Sequence, residues 1–159
     1  ADDARRAVEG CLYPPDGVRG FGPRRPSNYG RIGGPDFCKQ ANDSIIIIVQ
    51  IEHIDAVDNL ESILSVRGVD AYFVGPYDLS GSLGIPGQFE APIYLEAMQR
   101  IHSVAERLGV PGGVHIVEPD PAQLRQRIEE GHRFIAYGVD TRMLDTSCRA
   151  GLGSIQSLR

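Results

Sequence analysis

The chain has 159 residues, 42% hydrophobic and 23% charged, with a net charge of −5. That composition is ordinary for a soluble globular protein with one sizeable core. The acid excess argues against nucleic acid or an anionic membrane as the main partner, and no apolar run approaches the ~18 residues needed to cross a bilayer. Cys11, Cys38 and Cys148 lie at wide spacing, with neither a disulfide framework nor a CxxC motif. They read as free thiols in a reducing cytoplasm. No secretory signal opens the chain. It begins Ala-Asp-Asp-Ala, without an initiator Met, in what reads as mid-helix, and this points to a fragment or a processed chain.

Residues 2–12 have helical composition and a weak apolar face. From Tyr13 to Pro35 the density of Gly and Pro excludes regular helix. Pro14-Pro15-Asp16-Gly17 is a turn signal, and Val18-Arg19-Gly20-Phe21 fits a short strand. These glycines match neither GxGxxG nor a phosphate-binding GxxxxGK[ST] loop. Asp36 to Asn42 fits a short helix capped by Asp36. Ser44 to Ile51 is a continuous β-branched run, typical of a strand buried on both faces of a parallel sheet. Residues 54–66 place Val57, Leu60, Ile63 and Leu64 on one helical face, and Arg67-Gly68 ends that helix.

Val69 to Val74 reads as a second strand, followed by a GPYDLS turn at 75–80 and a loop over 81–92. Residues 92–108 are the clearest helix, with Pro92 in its first turn, a stripe of Leu95, Met98, Ile101, Ala105 and Leu108, and Gly109 as its stop. A third strand covers 112–117 and a third long helix 119–130. A fourth strand covers 133–137, with Gly138 to Thr141 at its end. Residues 142–150 are helical and the tail from Gly151 is weak.

A helix, a Gly/Pro-rich connection and four βα units call for an α/β fold with a parallel sheet and right-handed crossovers. Four units make either half of a (β/α)8 barrel or a small open sheet. No repeat or boundary divides the chain, so residues 1–159 read as one domain. Ligands then sit at the C-terminal strand ends, which carry Gln50 and Glu52, Gly75 to Ser80, His115, and Gly138 to Thr141.

Glu52 and Asp78 are two hard oxygen donors at neighbouring strand ends. They suit a divalent cation that keeps positions open for substrate. The plainer alternatives are a strand-end carboxylate bonded to a helix N-terminus and a helix cap. Gln50 shares a side with Glu52 and either bonds substrate or metal-bound water or is structural. Arg19, between glycines, either lies near the site or pairs with Glu52 or Asp78. Phe21 is a candidate pocket residue. His115, between Val114 and Ile116, is either a core residue or a substrate contact. His53 faces away from Glu52, His102 and His132 read as surface residues, and Asp140 fixes its strand-end loop rather than a metal. The one lysine, Lys39, lies outside any strand end, which counts against Schiff-base chemistry.

The segments YPPDGVRGFG (13–22), VQIE (49–52) with Asn59 beyond it, GVDAYFVGPYDLSGSLG (68–84) and FIAYGVDT (134–141) occur in this order. Together they resemble the HpcH/HpaI family of class II pyruvate aldolases, from about Arg6 to about Leu152. The resemblance implies a (β/α)8 barrel that assembles into homo-oligomers. It implies a divalent metal (Mg²⁺, Mn²⁺ or Co²⁺) held by Glu52 and Asp78, and pyruvate chelating it through carboxylate and keto oxygens. Main-chain amides around Gly75, Pro76, Tyr77 and Asp78 would hold the pyruvate carboxylate. The enolate adds to an aldehyde, and the reverse reaction cleaves a 4-hydroxy-2-oxo acid. Gln50, Arg19 and His115 are the candidate catalytic residues, with Phe21 lining the pocket. The family's opening strands, with a His tied to acid–base work and an Arg that stabilises the enolate oxygen, match no stretch here.

Two other readings stand beside this one. An acyl-CoA carbon–carbon lyase of the citrate lyase type needs a basic groove, and Arg24-Arg25 is the only short basic cluster in the loop. A non-catalytic half-barrel would bind metal and assemble with another chain through strand edges near Val18 and Phe134.

Overall fold

The computed structural model describes residues 1–155, so residues 156–159 of the expected domain lie outside the described part. The elements in chain order are α1 (Asp2–Cys11), α2 (Gly34–Ser44), β1 (Ile48–Ile51), α3 (Ile54–Asp58), α4 (Leu60–Leu64) and β2 (Ala71–Val74). Then follow α5 (Pro76–Ser82), α6 (Pro92–Leu108), β3 (Gly112–Ile116), α7 (Pro121–Glu129), β4 (Phe134–Tyr137) and α8 (Asp140–Ser154). The four strands form one parallel sheet in the order β1-β2-β3-β4. Each strand pairs with its neighbour in sequence and the order never reverses, as in a (β/α)8 barrel rather than a doubly wound sheet.

Register divides the sheet into two faces. Ile51, Val74, Val114 and Ile135 form one row, and Gln50, Phe73, Gly113 and Phe134 form the row beside it. Successive residues of a strand point to opposite faces. Val49, Ile51, Tyr72, Val74 and Val114 therefore pack in one core with Val57, Leu60 and Leu64 of α3 and α4 and Tyr94, Ala97, Ile101 and Ala105 of α6. On the other face Phe73 and Phe134 meet edge-on at 5.5 Å, and Phe134 stays 49% exposed. That second face corresponds to the interior of a barrel. Outside the core, Arg107 makes a bidentate bond to Glu61 and Arg100 pairs with Asp58, aligning α6 over α4 and α3. These pairs are exposed and set alignment more than stability.

Several boundaries differ from the sequence expectation. No strand forms at 18–21: the Val18 and Arg19 amides donate to Glu9 and Leu12 carbonyls, so this segment folds back on the end of α1. The first strand begins at Ile48 rather than Ser44, which ends α2. Asp70 bonds both backbone groups of Ile47 just before β2 begins, so Ile46 has no strand opposite it and is 71% exposed. Thus the isoleucine run is not buried on both faces. Gly33, not Asp36, occupies the N-cap of α2, with Pro35 in the first turn.

The helix expected over 54–66 breaks at Asn59, whose side chain donates to the Asp55 carbonyl. GPYDLS is not a turn but the start of α5. The bounds of α6 agree with expectation, since Pro92 opens it and Gly109 closes it in the left-handed region at φ 69°. Its buried face is Tyr94, Ala97, Ile101 and Ala105, while Leu95 is 50% exposed. The last helix is longer than expected and starts at Asp140.

His132 is a buried residue rather than a surface one, and His102 is half-buried. Their rings lie 5.0 Å apart, and His132 Nε2 has no hydrogen-bond partner, although Glu130 lies 3.8 Å away. Burial holds both imidazoles below their ordinary pKa. For His132 the neighbouring His102 adds to this, Glu130 opposes it, and Arg127 lowers both. The unfolded chain therefore takes up protons near pH 6.5 that the folded chain refuses, so stability falls as pH drops through that value. The urea midpoint is expected to fall between about pH 7.5 and about pH 5.5, and His132→Leu to flatten that slope. Equal midpoints at the two pH values would remove the pair from the stability account.

Candidate active site at the ends of β1 and β2

Glu52 leaves β1 directly after Ile51, a residue only 1% exposed. The Gly75 amide donates to the Ile51 carbonyl and carries the ladder one step past β2, so Gly75 lies beside Glu52. A Cβ on Gly75 would sit 2.6 Å from Glu52 Oε2, 2.9 Å from Gln50 Nε2 and 3.0 Å from Glu52 Cβ. Both side chains thus lie across the Gly75 backbone. Glycine is required here by close approach and not by backbone angle, since its φ is −93°. Gly75 is also the N-cap of α5, and Pro76 opens the helix with no N–H to satisfy.

Asp78 is exposed in the first turn of α5, next to the fully buried Leu79. The Tyr77 ring packs edge-on against Phe89 at 5.1 Å, and Phe89 packs against Tyr94 at 5.4 Å. Ser80 is completely buried; its hydroxyl donates to the Tyr77 carbonyl at 2.8 Å and accepts the Gly87 N–H at 2.9 Å. The loop after α5 is thereby fastened to the turn that carries Tyr77 and Asp78. The Ser82 hydroxyl donates to the Leu79 carbonyl and accepts the Ile54 N–H. Neither serine was singled out from the sequence, although both lie within the motif at 68–84. A hydroxyl beside a buried Leu was the available signal.

Among the described residues, the Glu52 and Asp78 carboxylates have no hydrogen-bond or ion-pair partner, and no three His, Cys, Asp or Glu converge on one point. Two carboxylates without partners among the described residues have the chemistry of ligands for a hard divalent cation that leaves positions to small molecules. His53 is not part of this set: its Nδ1 accepts the Asp55 N–H at 3.1 Å and caps α3. His115 follows Val114, the partner of Val74, and so lies on the Glu52 face at the level of Gly75. Its Nε2 is 3.4 Å from the Gly138 carbonyl at the end of β4.

Gln50, Glu52, Gly75, Pro76, Tyr77, Asp78 and His115 thus belong to one set of strand ends. Arg19 and Phe21 make their contacts with other residues. The Arg19 guanidinium lies 4.8 Å over the Tyr13 ring and bonds the Cys11 carbonyl, with no ion pair to Glu52 or Asp78 among the described residues. Phe21 is 61% exposed and packs on Tyr13 and Gly34. Asp140 accepts the Thr141 N–H at the start of α8. Lys39 is exposed and paired with Asp43 at 2.7 Å, which raises its pKa, the reverse of what a Schiff-base lysine needs. A cavity of about 980 Å³ runs along α6, β3 and α7 and reaches Pro76, Tyr77 and His115. Gly75→Ala is expected to fold, because the nearest obstruction is a movable carboxylate, but to displace Glu52 and Gln50. A crystal structure of the variant reads that displacement, and unmoved side chains would count against the cradle.

The chain is also similar to known proteins. A hydroxypyruvate/pyruvate aldolase of Sagittula stellata is 42% identical over 150 residues, covering 94% of this chain and 58% of that protein. A 4-hydroxy-2-oxo-heptane-1,7-dioate aldolase of Shigella flexneri is 39% identical over 152 residues, covering 94% of this chain and 55% of its own length. The crystal structure of an HpcH/HpaI aldolase from Desulfitobacterium hafniense superposes with a TM-score of 0.86 at 35% identity, over 99% of this chain and 61% of that one. The chain thus spans little more than half the length of these relatives. The model of one family, HpcH/HpaI aldolase/citrate lyase, matches residues 1–146, and the chain belongs to that family.

Proposed function

We propose that this chain carries the metal-binding half of a class II pyruvate aldolase site, which forms or cleaves 4-hydroxy-2-oxo acids. The observation that carries the reading is the Gly75 cradle. It holds Glu52 beside Gln50, at the foot of the helix that bears Asp78, and both carboxylates are without protein partners among the described residues. The names of relatives at 39–42% identity point to the same substrate class, a pyruvate-type 2-oxo acid and an aldehyde.

In this reading Glu52 and Asp78 would hold Mg²⁺, Mn²⁺ or Co²⁺. When bound, the cation supplies positive charge that polarises the keto oxygen of the 2-oxo acid and offsets enolate charge. The Tyr77 and Asp78 N–H groups, in the first turn of α5 beyond Gly75 and Pro76, orient the substrate carboxylate. Gln50 donates to a substrate oxygen or to water. In the cleavage direction a base takes the C4 hydroxyl proton, the C3–C4 bond breaks, and its electron pair passes to the enolate of pyruvate. C3 then takes up a proton. His115, on the same face, is the residue of this chain proposed to move those protons. Arg19 and Phe21, held on Tyr13, take no part in this scheme.

A second reading has its own observation. The Phe73–Phe134 face of the sheet leaves Phe134 half exposed, which favours a half-barrel that completes its interior with further chain or with another copy.

Exchange of the C3 protons of pyruvate in D₂O, followed by NMR with and without Mn²⁺, tests the first reading. Metal-dependent exchange is expected, lost in Glu52→Ala and strongly slowed in His115→Gln. Mn²⁺ binding without exchange would place the proton-transfer groups outside this chain. Absence of Mn²⁺ binding would reject the carboxylate pair.

A further inference from the structure

We propose that Ser82 is a positioning residue that sets the separation of Glu52 and Asp78. The inference rests on the reading that these two carboxylates hold a cation.

Glu52 and His53 form a short exit between β1 and α3, with no regular structure of their own. The exit is held at both ends by the Gly75–Ser82 segment. At one end the Gly75 N–H bonds the Ile51 carbonyl at 3.3 Å. At the other the Ser82 hydroxyl accepts the Ile54 N–H at 3.1 Å. The hydroxyl is itself fixed, because it donates to the Leu79 carbonyl at 2.8 Å within α5. Asp78 lies between these two anchor points. The result is a closed frame, with Glu52 on one side and Asp78 on the other. Gly75 and Ser82 are its corners, at the two ends of one helix.

Ser82 is half-buried and does not share the fate of a surface hydroxyl. Ile54 is the first residue of α3, so its N–H has no acceptor within that helix. Removing the Ser82 oxygen therefore loosens the α3 end of the exit, where the His53 cap remains, while the sheet hydrogen bond still holds the other. The carboxylate most affected is Glu52, which then pivots about Ile51. Thr keeps an oxygen at this position, whereas Ala does not.

The test uses the full chain with Ser82→Ala, Ser82→Thr and, as a control for lost stability alone, Leu64→Ala. Leu64 is buried in α4 and touches neither hydrogen bond of the frame. Mn²⁺ affinity is read from the free-ion EPR signal, and amide hydrogen exchange is read at Ile54. Ser82→Ala is expected to speed Ile54 exchange and to weaken Mn²⁺ binding about 10-fold or more, with Ser82→Thr restoring most of both. Leu64→Ala is expected to lower the melting temperature without changing Mn²⁺ affinity. Native affinity in Ser82→Ala, or equal weakening in Leu64→Ala, would overturn the role of Ser82 alone. A native chain that binds no Mn²⁺ would instead overturn the metal reading beneath it.

Discussion

The parallel register of β1 on β2 governs everything at the strand ends. Asp70 sets it from below. Its carboxylate accepts the Ile47 N–H at 2.7 Å and its own N–H returns to the Ile47 carbonyl at 2.9 Å. From that start, Ile48 meets Ala71 and Ile51 meets Val74, and Glu52 arrives beside the one residue without a side chain. A slip of one residue would turn Glu52 toward the helices and place Ile51 in its position. That register, fixed at its start by Asp70, brings together the glycine, the carboxylate and the short helix after them.

The same helix that presents polar groups also anchors the core. Leu79 and Ser80 of α5 are wholly buried while Tyr77 and Asp78, adjacent to them, face outward. A helix this short has little stability of its own. Its order comes from Leu79 in the core, from the Ser80 staple to Gly87 and from the Ser82 contact to Ile54. Leu79, Ser80 and Ser82 thus give the Tyr77–Asp78 turn a rigid base.

Much of this architecture was legible in the sequence, and the losses have physical causes. The alternation of apolar runs with helical segments gave the four parallel units, and Pro92 with Gly109 gave both ends of α6, because those residues act locally. The phase of α6 was legible in part. Ile101 and Ala105 are buried and Met98 and Leu108 pack against the core, whereas Leu95 is half exposed and Tyr94 and Ala97 complete the buried face, a choice that the position of the sheet decides. The isoleucine run overstated β1 for a related reason: hydrophobicity marks residues able to pair, while the partner strand decides which do.

At the site, Gln50, Glu52, Gly75, Asp78 and His115 share one region because strand ends converge. Arg19 and Phe21 depended on a strand at 18–21 that the bonds to Glu9 and Leu12 preclude. The burial of His132 is not legible in the sequence, because polarity says nothing of the second imidazole against which it packs.

The unbroken order of the strands has a consequence for how the molecule is made. Among the described residues each strand bonds to its predecessor and successor, at sequence separations of roughly 20–40 residues. A chain of this kind can gain one βα unit at a time as it leaves the ribosome, each new strand finding its template already in place. The β1–β2 pair, with the Gly75 cradle and the Ser82 contact, is complete before α6 has been synthesised. Among the described strands, β3 and β4 are thus added to a β1–β2 pair already in place.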